Sequence, residues 1–276
     1  MAGKNATQEQ IQSLQEELGL NKPLIHQYFD FLEQIFTFQW GESWYTKENI
    51  NQIILKGVGP SVSLTLPAFL ISFLISLCVA IYSAYSQNRK TRSDKYITTI
   101  CLCLMSISFL VYIICFQFFL AYYLSLFEIN GWDHSWVERW RFLVLPWIIS
   151  ICVSLGPNIL LFRSAILDQV NQDYVRTGKA KGLDRYSIYF IHVLKNALIP
   201  ISTVVIIQIP FLMTGSLLLE AFFGIPGLGG LLIQAIQTSD FPVVKAFTVI
   251  GSILYLCFNL LSDLFYALVD PRVELQ

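Results

Sequence analysis

GVGPSVSLTLPAFLISFLISLCVAIYSAYSQN, residues 57–88, contains no Asp, Glu, Lys or Arg. A helix crossing the hydrocarbon core of a bilayer needs about 20 mostly apolar residues, and this run exceeds that. Four more charge-free apolar runs follow, at 96–127, 142–162, 196–219 and 246–262. The last reaches spanning length if the helix continues past Asp263 to about Val269. A buried helix of a water-soluble domain rarely runs so far without a charge, so the pattern predicts an all-α, polytopic integral membrane protein with five transmembrane helices in this chain. The sixth charge-free run, 221–239, has Gly224, Pro226, Gly227, Gly229 and Gly230 in its first half. Irregular backbone exposed to lipid is costly, so 221–239 reads as an external or re-entrant loop with a short helix.

Composition agrees. Of 276 residues, 55% are hydrophobic and 13% charged, mean hydropathy is +0.57, and 18 Lys+Arg nearly balance 19 Asp+Glu. Soluble domains carry about 25% charged residues. The balance excludes a basic nucleic-acid binder and an acidic tail protein. The six cysteines, Cys78, Cys101, Cys103, Cys115, Cys152 and Cys257, all fall inside apolar runs, where Cys acts as a small hydrophobe. They form neither a disulfide framework nor a metal-ligand spacing. His26, His134 and His192 are isolated in sequence, and no metal site is expected.

Loop charge sets the orientation. Loop 87–95 holds Arg89, Lys90, Arg92 and Lys95 against Asp94, and loop 163–195 holds Arg163, Arg176, Lys179, Lys181, Arg185 and Lys195. The alternate segments are poorer: 128–141 has Arg139 and Arg141, and 220–245 has Lys245. The positive-inside rule makes the two basic loops cytoplasmic. Tyr122, Tyr123, Trp132, Trp136, Trp140 and Trp147 then form an aromatic belt around the external loop 128–141. Residues 1–56 fall outside as an external helical segment, and 57–276 form the transmembrane domain. In 1–56, Thr7 and Gln10 form a capping-box pattern ahead of Ile11, Leu14 and Leu18, and a second helix covers Leu24 to about Phe38. A polar segment without a signal peptide needs a membrane helix ahead of it to cross. The expectation is therefore six spans in the natural protein, the first lost by truncation or a wrong start assignment.

Loop 163–195 is too long for a simple connection and is not Gly/Ser-rich. Asp173-Tyr174-Val175-Arg176-Thr177-Gly178-Lys179-Ala180-Lys181-Gly182-Leu183 reads as a helix stopped at Gly182, and Asp184 is placed to cap a second helix through Tyr186 and Ile188. The result is a protruding elbow with basic and small residues at its tip. The competing reading is a basic loop that only fixes topology; the ordered helix–Gly–helix pattern favours a docking element.

This elbow resembles the EAA loop of permease subunits in binding-protein-dependent ABC importers. In the general pattern Glu-Ala-Ala is followed, four residues after the last Ala, by Gly; Arg176, Thr177, Gly178 and Gly182 stand at those positions. The match is better to the oligopeptide/dipeptide/nickel branch, whose loop looks like Asp-Tyr-Val-Arg-Thr-Ala-Arg-Ala-Lys-Gly-Leu. This chain departs from it at Gly178 and Lys179. His192-Val193-Leu194-Lys195-Asn196-Ala197-Leu198-Ile199-Pro200, Glu220 through Gly229, Asp240-Phe241-Pro242, and Asn259 through Asp263 with Asp270-Pro271-Arg272 are similar to the same branch. The N-terminal Thr7 to Tyr28 resembles the first, B-type, of its two permeases. The likeness covers about 1–60 and 155–276; residues 61–154 match in hydropathy only.

The resemblance implies a type I ABC importer permease fold in the cytoplasmic (inner) membrane of a bacterium. It implies a second homologous permease, two cytoplasmic ATPase subunits carrying ATP and Mg, and an external solute-binding protein. This chain has no Gly-x-x-x-x-Gly-Lys-Ser/Thr cradle and no catalytic constellation, so it is not expected to be an enzyme or to hold a cofactor. Asp173 to Leu183 with Tyr186 would couple it to the ATPase: Tyr174, Val175, Leu183 and Tyr186 in a groove, Arg176, Lys179 and Lys181 paired with acidic groups, and Gly182 making the close turn. Gln117, Asn158, Gln208 and Asn259, polar within apolar spans, are the candidate pore-lining groups, with helix–helix hydrogen bonding as the competing role. Peptides are the expected cargo. Nickel or a metal chelate, and a non-transport scaffold keeping the fold, are the alternatives.

Overall fold

The computed structural model describes residues 21–87, 92–133 and 135–269. The capping-box helix expected near Thr7, the basic pair Arg89 and Lys90, His134 and the Asp270–Arg272 motif lie outside them. The described elements are α1 (Leu24–Thr37), α2 (Ile50–Gln87), α3 (Arg92–Ser106) and α4 (Phe109–Phe116), which runs into a π-helical stretch, Gln117–Tyr123. Then come α5 (Trp136–Val170), α6 (Asp173–Ala180) and α7 (Arg185–Ser187), followed by a π-helical stretch, Ile188–Val193, leading into α8 (Leu194–Thr214). The chain ends in α9 (Leu217–Phe223), α10 (Leu228–Gln237) and α11 (Phe241–Val269). Among the described residues four helices are long and apolar enough to cross a membrane, or up to six if each of two bent helix pairs is one span.

Contacts divide the chain into two units, Met1–Lys56 with Leu232–Ile250, and Gly57–Leu231 with Gly251–Gln276. The first therefore includes a stretch from the far end of the chain as well as residues 1–56. Its hub is Asp240, 3% exposed. The Asp240 carboxylate accepts the Ser43 hydroxyl at 2.5 Å and the backbone N–H groups of Trp44 at 3.0 Å and Tyr45 at 3.3 Å. A buried carboxylate is tolerated when hydrogen bonds replace its water.

The second unit holds the bulk of the membrane helices. The inner face of α2 is the stripe Gly57, Ser61, Leu64, Ala68, Ser72, Ser76, Ala80 and Ala84, all buried. The spacing of three and four keeps them on one side, and their small size lets neighbouring backbones approach, as packing within lipid requires. Pro60 and Pro67 lie inside this helix. One core joins Ala80, Ile81 and Ala84 of α2 to Phe162 and Ile166 of α5, Val175 of α6, and Ile188, Tyr189 and Val193. A second joins Leu64, Tyr112, Ile113, Leu143, Leu145, Ile149, Leu219 and Phe223.

Two boundaries differ from the hydropathy reading. The 96–127 run is broken between α3 and α4–Tyr123, which meet at 88°. Ser108 caps α4, its hydroxyl accepting Val111 N–H at 3.4 Å, and the Tyr112 hydroxyl donates to Leu104 O at 2.9 Å, at the frayed end of α3. Hydropathy does not register such a break because both arms are apolar. The 196–219 run ends early, at Thr214, because Gly215 takes φ +79° and starts the bent pair α9–α10, which meets at 83°. The turn is built on Glu220, 1% exposed. Its carboxylate accepts Ser61 Oγ at 2.7 Å, Ser216 N–H at 3.2 Å and Gly230 N–H at 2.9 Å. A Cβ on Gly227 would come within 2.5 Å of that carboxylate, so glycine is there for space.

Candidate functional site

The elbow begins where α5 stops at Val170. Asp173 opens α6 and Lys179 sits in its last turn, each at the end where the helix dipole favours its charge. Arg176 Nη1 lies 3.3 Å from Asp173 Oδ1, a pair exposed at 78% and 93% and of little energetic consequence. The Thr177 hydroxyl donates to Asp173 O at 3.1 Å, and the Tyr174 hydroxyl to Gln169 Oε1 at 3.2 Å. Partial burial pushes the Tyr174 phenol up from its ordinary value, against a hydrogen bond with Asn196.

The helix stops as the glycine predicts. Gly182 has φ +78°, and no atom stands within 4 Å of where its Cβ would be. Gly182 N–H donates to Lys179 O at 3.1 Å and Leu183 N–H to Gly178 O at 3.2 Å. These are the two bonds of a Schellman C-cap. The apolar contact that usually accompanies it is lacking, because Leu183 faces Gly178. A Cβ on Gly178 would sit 3.5 Å from Leu183 Cδ1, an ordinary contact. Asp184 then caps the next helix by accepting Ser187 N–H at 3.2 Å. Hydrogen bonds from Ser187, first its hydroxyl and then its backbone N–H, hold the Asp184 carboxyl below its usual value. That cap is in place at neutral pH and is lost only as pH falls through this lowered value.

Of the expected coupling residues, Asp173, Tyr174, Arg176, Thr177, Lys179, Ala180, Lys181, Gly182, Leu183 and Tyr186 are exposed, and Gly178 is partly so. Tyr186 stacks on Phe190 with centroids 4.4 Å apart. Val175 is a correction. At 2% exposed it belongs to the chain's own core with Phe162 and Ile188 and is not presented at the surface with the other elbow residues. Arg185 also turns inward. Its Nη2 donates to Tyr85 O in the last turn of α2 at 3.0 Å, and its guanidinium lies 4.7 Å over the Tyr85 ring and 5.7 Å from that of Tyr189. The two rings meet edge to face at 5.3 Å.

The four polar candidates for a pathway fall on four different helical elements. Gln117 Nε2 donates to Ile129 O at 3.3 Å and Phe222 O at 3.4 Å, tying segments together. Asn158 is buried in α5, and Gln208 and Asn259 are half-buried. No hydrogen bond joins any two of them among the described residues. Sequence reasoning missed a different polar cluster at the C-terminal end of α2. Arg163 grips Asp94 through Nε and Nη2, both at 2.8 Å, and Nη2 reaches Gln87 Oε1 at 3.0 Å while Ser83 Oγ donates to Asp94 Oδ1 at 2.6 Å. Both charges had counted only toward loop topology. The signal was that each sits at the margin of an apolar run, where a charge needs a partner.

A family model described as the binding-protein-dependent transport system inner membrane component matches residues 76–275, and its companion N-terminal model matches residues 1–65. The chain belongs to this family. It is a multi-pass permease subunit of an ABC importer in the inner membrane, working in a complex with ATPase and binding-protein partners. The Dipeptide transport system permease protein DppB of Bacillus subtilis is 32% identical over 99% of this chain and 87% of its own length. The Probable peptide ABC transporter permease protein y4tP of Sinorhizobium fredii is 29% identical over 99% and 88%. The Glutathione transport system permease protein GsiC of Pectobacterium atrosepticum is 29% identical over 99% and 87%. Such proteins are permease components, not catalytic subunits.

Proposed function

We propose that this permease carries peptides inward, as one of a pair of homologous permeases with two cytoplasmic ATPases that hold ATP and Mg and an external solute-binding protein. Residues 1–56 lie outside and loop 163–195 lies in the cytoplasm, as loop charge requires. The relatives support the cargo: by name they transport a peptide, a dipeptide and glutathione, itself a tripeptide. This chain does no ATP chemistry of its own.

The observation that carries the coupling role is the elbow's build. Helix α6, a Schellman turn at Gly182 and a second helix capped by Asp184 present Tyr174, Leu183 and Tyr186 beside Arg176, Lys179 and Lys181. Aromatic and aliphatic groups supply the buried anchor of a docking site and the cations its rim. ATP-driven closure of the ATPase pair then moves the elbow as a body and rocks the spans between inward-open and outward-open states.

The test is peptide uptake by the purified complex in proteoliposomes with Gly182→Asp. Asp tolerates left-handed backbone better than most residues, so the variant inserts and assembles while its negative charge opposes docking at a cationic tip. Uptake falls at least tenfold. Normal uptake would remove the elbow from the coupling path, and a binding protein that takes up nickel instead of peptide would remove the peptide assignment.

A further inference from the structure

We infer that Arg185 is a positioning residue that transmits movement of the elbow to α2. The inference rests on the coupling role proposed for the elbow. Moving a docked helix has no effect on transport unless the movement reaches the spans. The elbow's apolar attachment is Val175, which packs into the core with Phe162, Ile166 and Ile188. Such packing resists separation but is non-directional. Arg185 adds a directional link. Its Nη2 is bonded to Tyr85 O at 3.0 Å, in the last turn of α2, where the helix dipole is negative and attracts a cation. Its Cζ lies 4.7 Å over the Tyr85 ring and 5.7 Å from the centre of the Tyr189 ring, which meets Tyr85 edge to face. A planar guanidinium can bond a carbonyl and lay a flat face on a ring at once; an ammonium keeps the charge and the bond but has no flat face.

The same last turn of α2 is held from a second side. Gln87 and Ser83 bond to the Arg163–Asp94 pair, which links α5 and α3. α2 is thus fixed at its inner end both to the elbow, through Arg185, and to its helical neighbours, through Arg163. It runs from there through 38 residues, a helix of about 57 Å at 1.5 Å per residue. A displacement at Tyr85 is therefore delivered to one continuous helix, as far as Pro67 and Pro60.

The experiment uses the assembled complex in proteoliposomes and measures ATP hydrolysed per peptide carried, for wild type and Arg185→Lys. Lys keeps the charge and one hydrogen bond and loses the stack. Gln172→Cys, exposed just ahead of α6 and outside the docking residues, is cross-linked to the ATPase and reports docking in both complexes. The expected result is unchanged cross-linking, ATP hydrolysis within twofold of wild type, and a rise of about tenfold in ATP spent per peptide. Hydrolysis and uptake falling together, or both unchanged, would overturn the role of Arg185. Absence of the cross-link in the wild-type complex would overturn the docking site itself, and this inference with it. Tyr85→Leu, which removes the ring and leaves the carbonyl, carries the same comparison if Arg185→Lys does not assemble. It too should raise the ratio, and an unchanged ratio there would also sink the proposal.

Discussion

Two glycines four residues apart in the elbow do different jobs. Gly182 is required by its backbone, at φ +78°, whereas Gly178 sits inside a helix with room for a methyl group beside Leu183. Glycine in a helix interior loses up to about 1 kcal/mol relative to alanine. Gly178→Ala should therefore stabilise α6 by up to about 1 kcal/mol and supply the apolar contact its C-cap lacks. Slower amide exchange across 173–180 in the reconstituted complex would show it; faster exchange would mean the methyl group does not fit. The stop at Gly182 and the cap at Asp184 were legible in the sequence, because residue chemistry dictates both. The inward turn of Val175 was not. Its neighbours on the face it presents, Phe162 and Ile188, lie in other elements, and no local pattern in 173–183 distinguishes a side chain that meets a partner from one that meets the chain's own core.

At the scale of elements, hydropathy located the helices but not their inner faces. Inside a bilayer the outward face is as apolar as the inward one, so the face of α2 that packs is marked by size, in the stripe from Gly57 to Ala84. The breaks at Ser108 and Gly215 escaped for the same reason. The Asp94–Arg163 pair is where elements depend on charge. Its side chains are 11% and 18% exposed. Removing one partner of a buried pair strands the other, at a cost of about 3–5 kcal/mol, whereas replacing both is far milder. Arg163→Met alone should lower the detergent-solubilised melting temperature sharply. Asp94→Leu combined with Arg163→Met should recover most of the loss. A double variant no better than the single one would show that the two side chains act separately.

For the molecule as a whole, loop charge fixes which face of the membrane each loop meets. The elbow's Lys179 and the hairpin between α9 and α10 should face opposite sides of the membrane. With cysteines introduced singly at Lys179 and at Phe222, both exposed, a membrane-impermeant thiol reagent added to intact cells should label position 222 and spare position 179. The reverse pattern would invert the topology and place the elbow away from any ATPase. Chain-wide class was readable from composition alone, since 13% charge cannot clothe a water-soluble protein of this length. The grouping of Leu232–Ile250 with Met1–Lys56 was not readable. It depends on Asp240 meeting Ser43 across nearly two hundred residues of chain, a separation over which no periodicity carries information.

The empty space around Gly182 has one more consequence. With no atom near the site of a Cβ, the position is indifferent to volume, and what it forbids is handedness. A mirror-image backbone would take φ +78° without strain, while an L-alanine would strain the turn. The bend between the two elbow helices, bonded by its backbone and the Asp184 cap, is thus limited at this position by chirality and not by packing. It is a constraint written into the one coded residue that has no chirality.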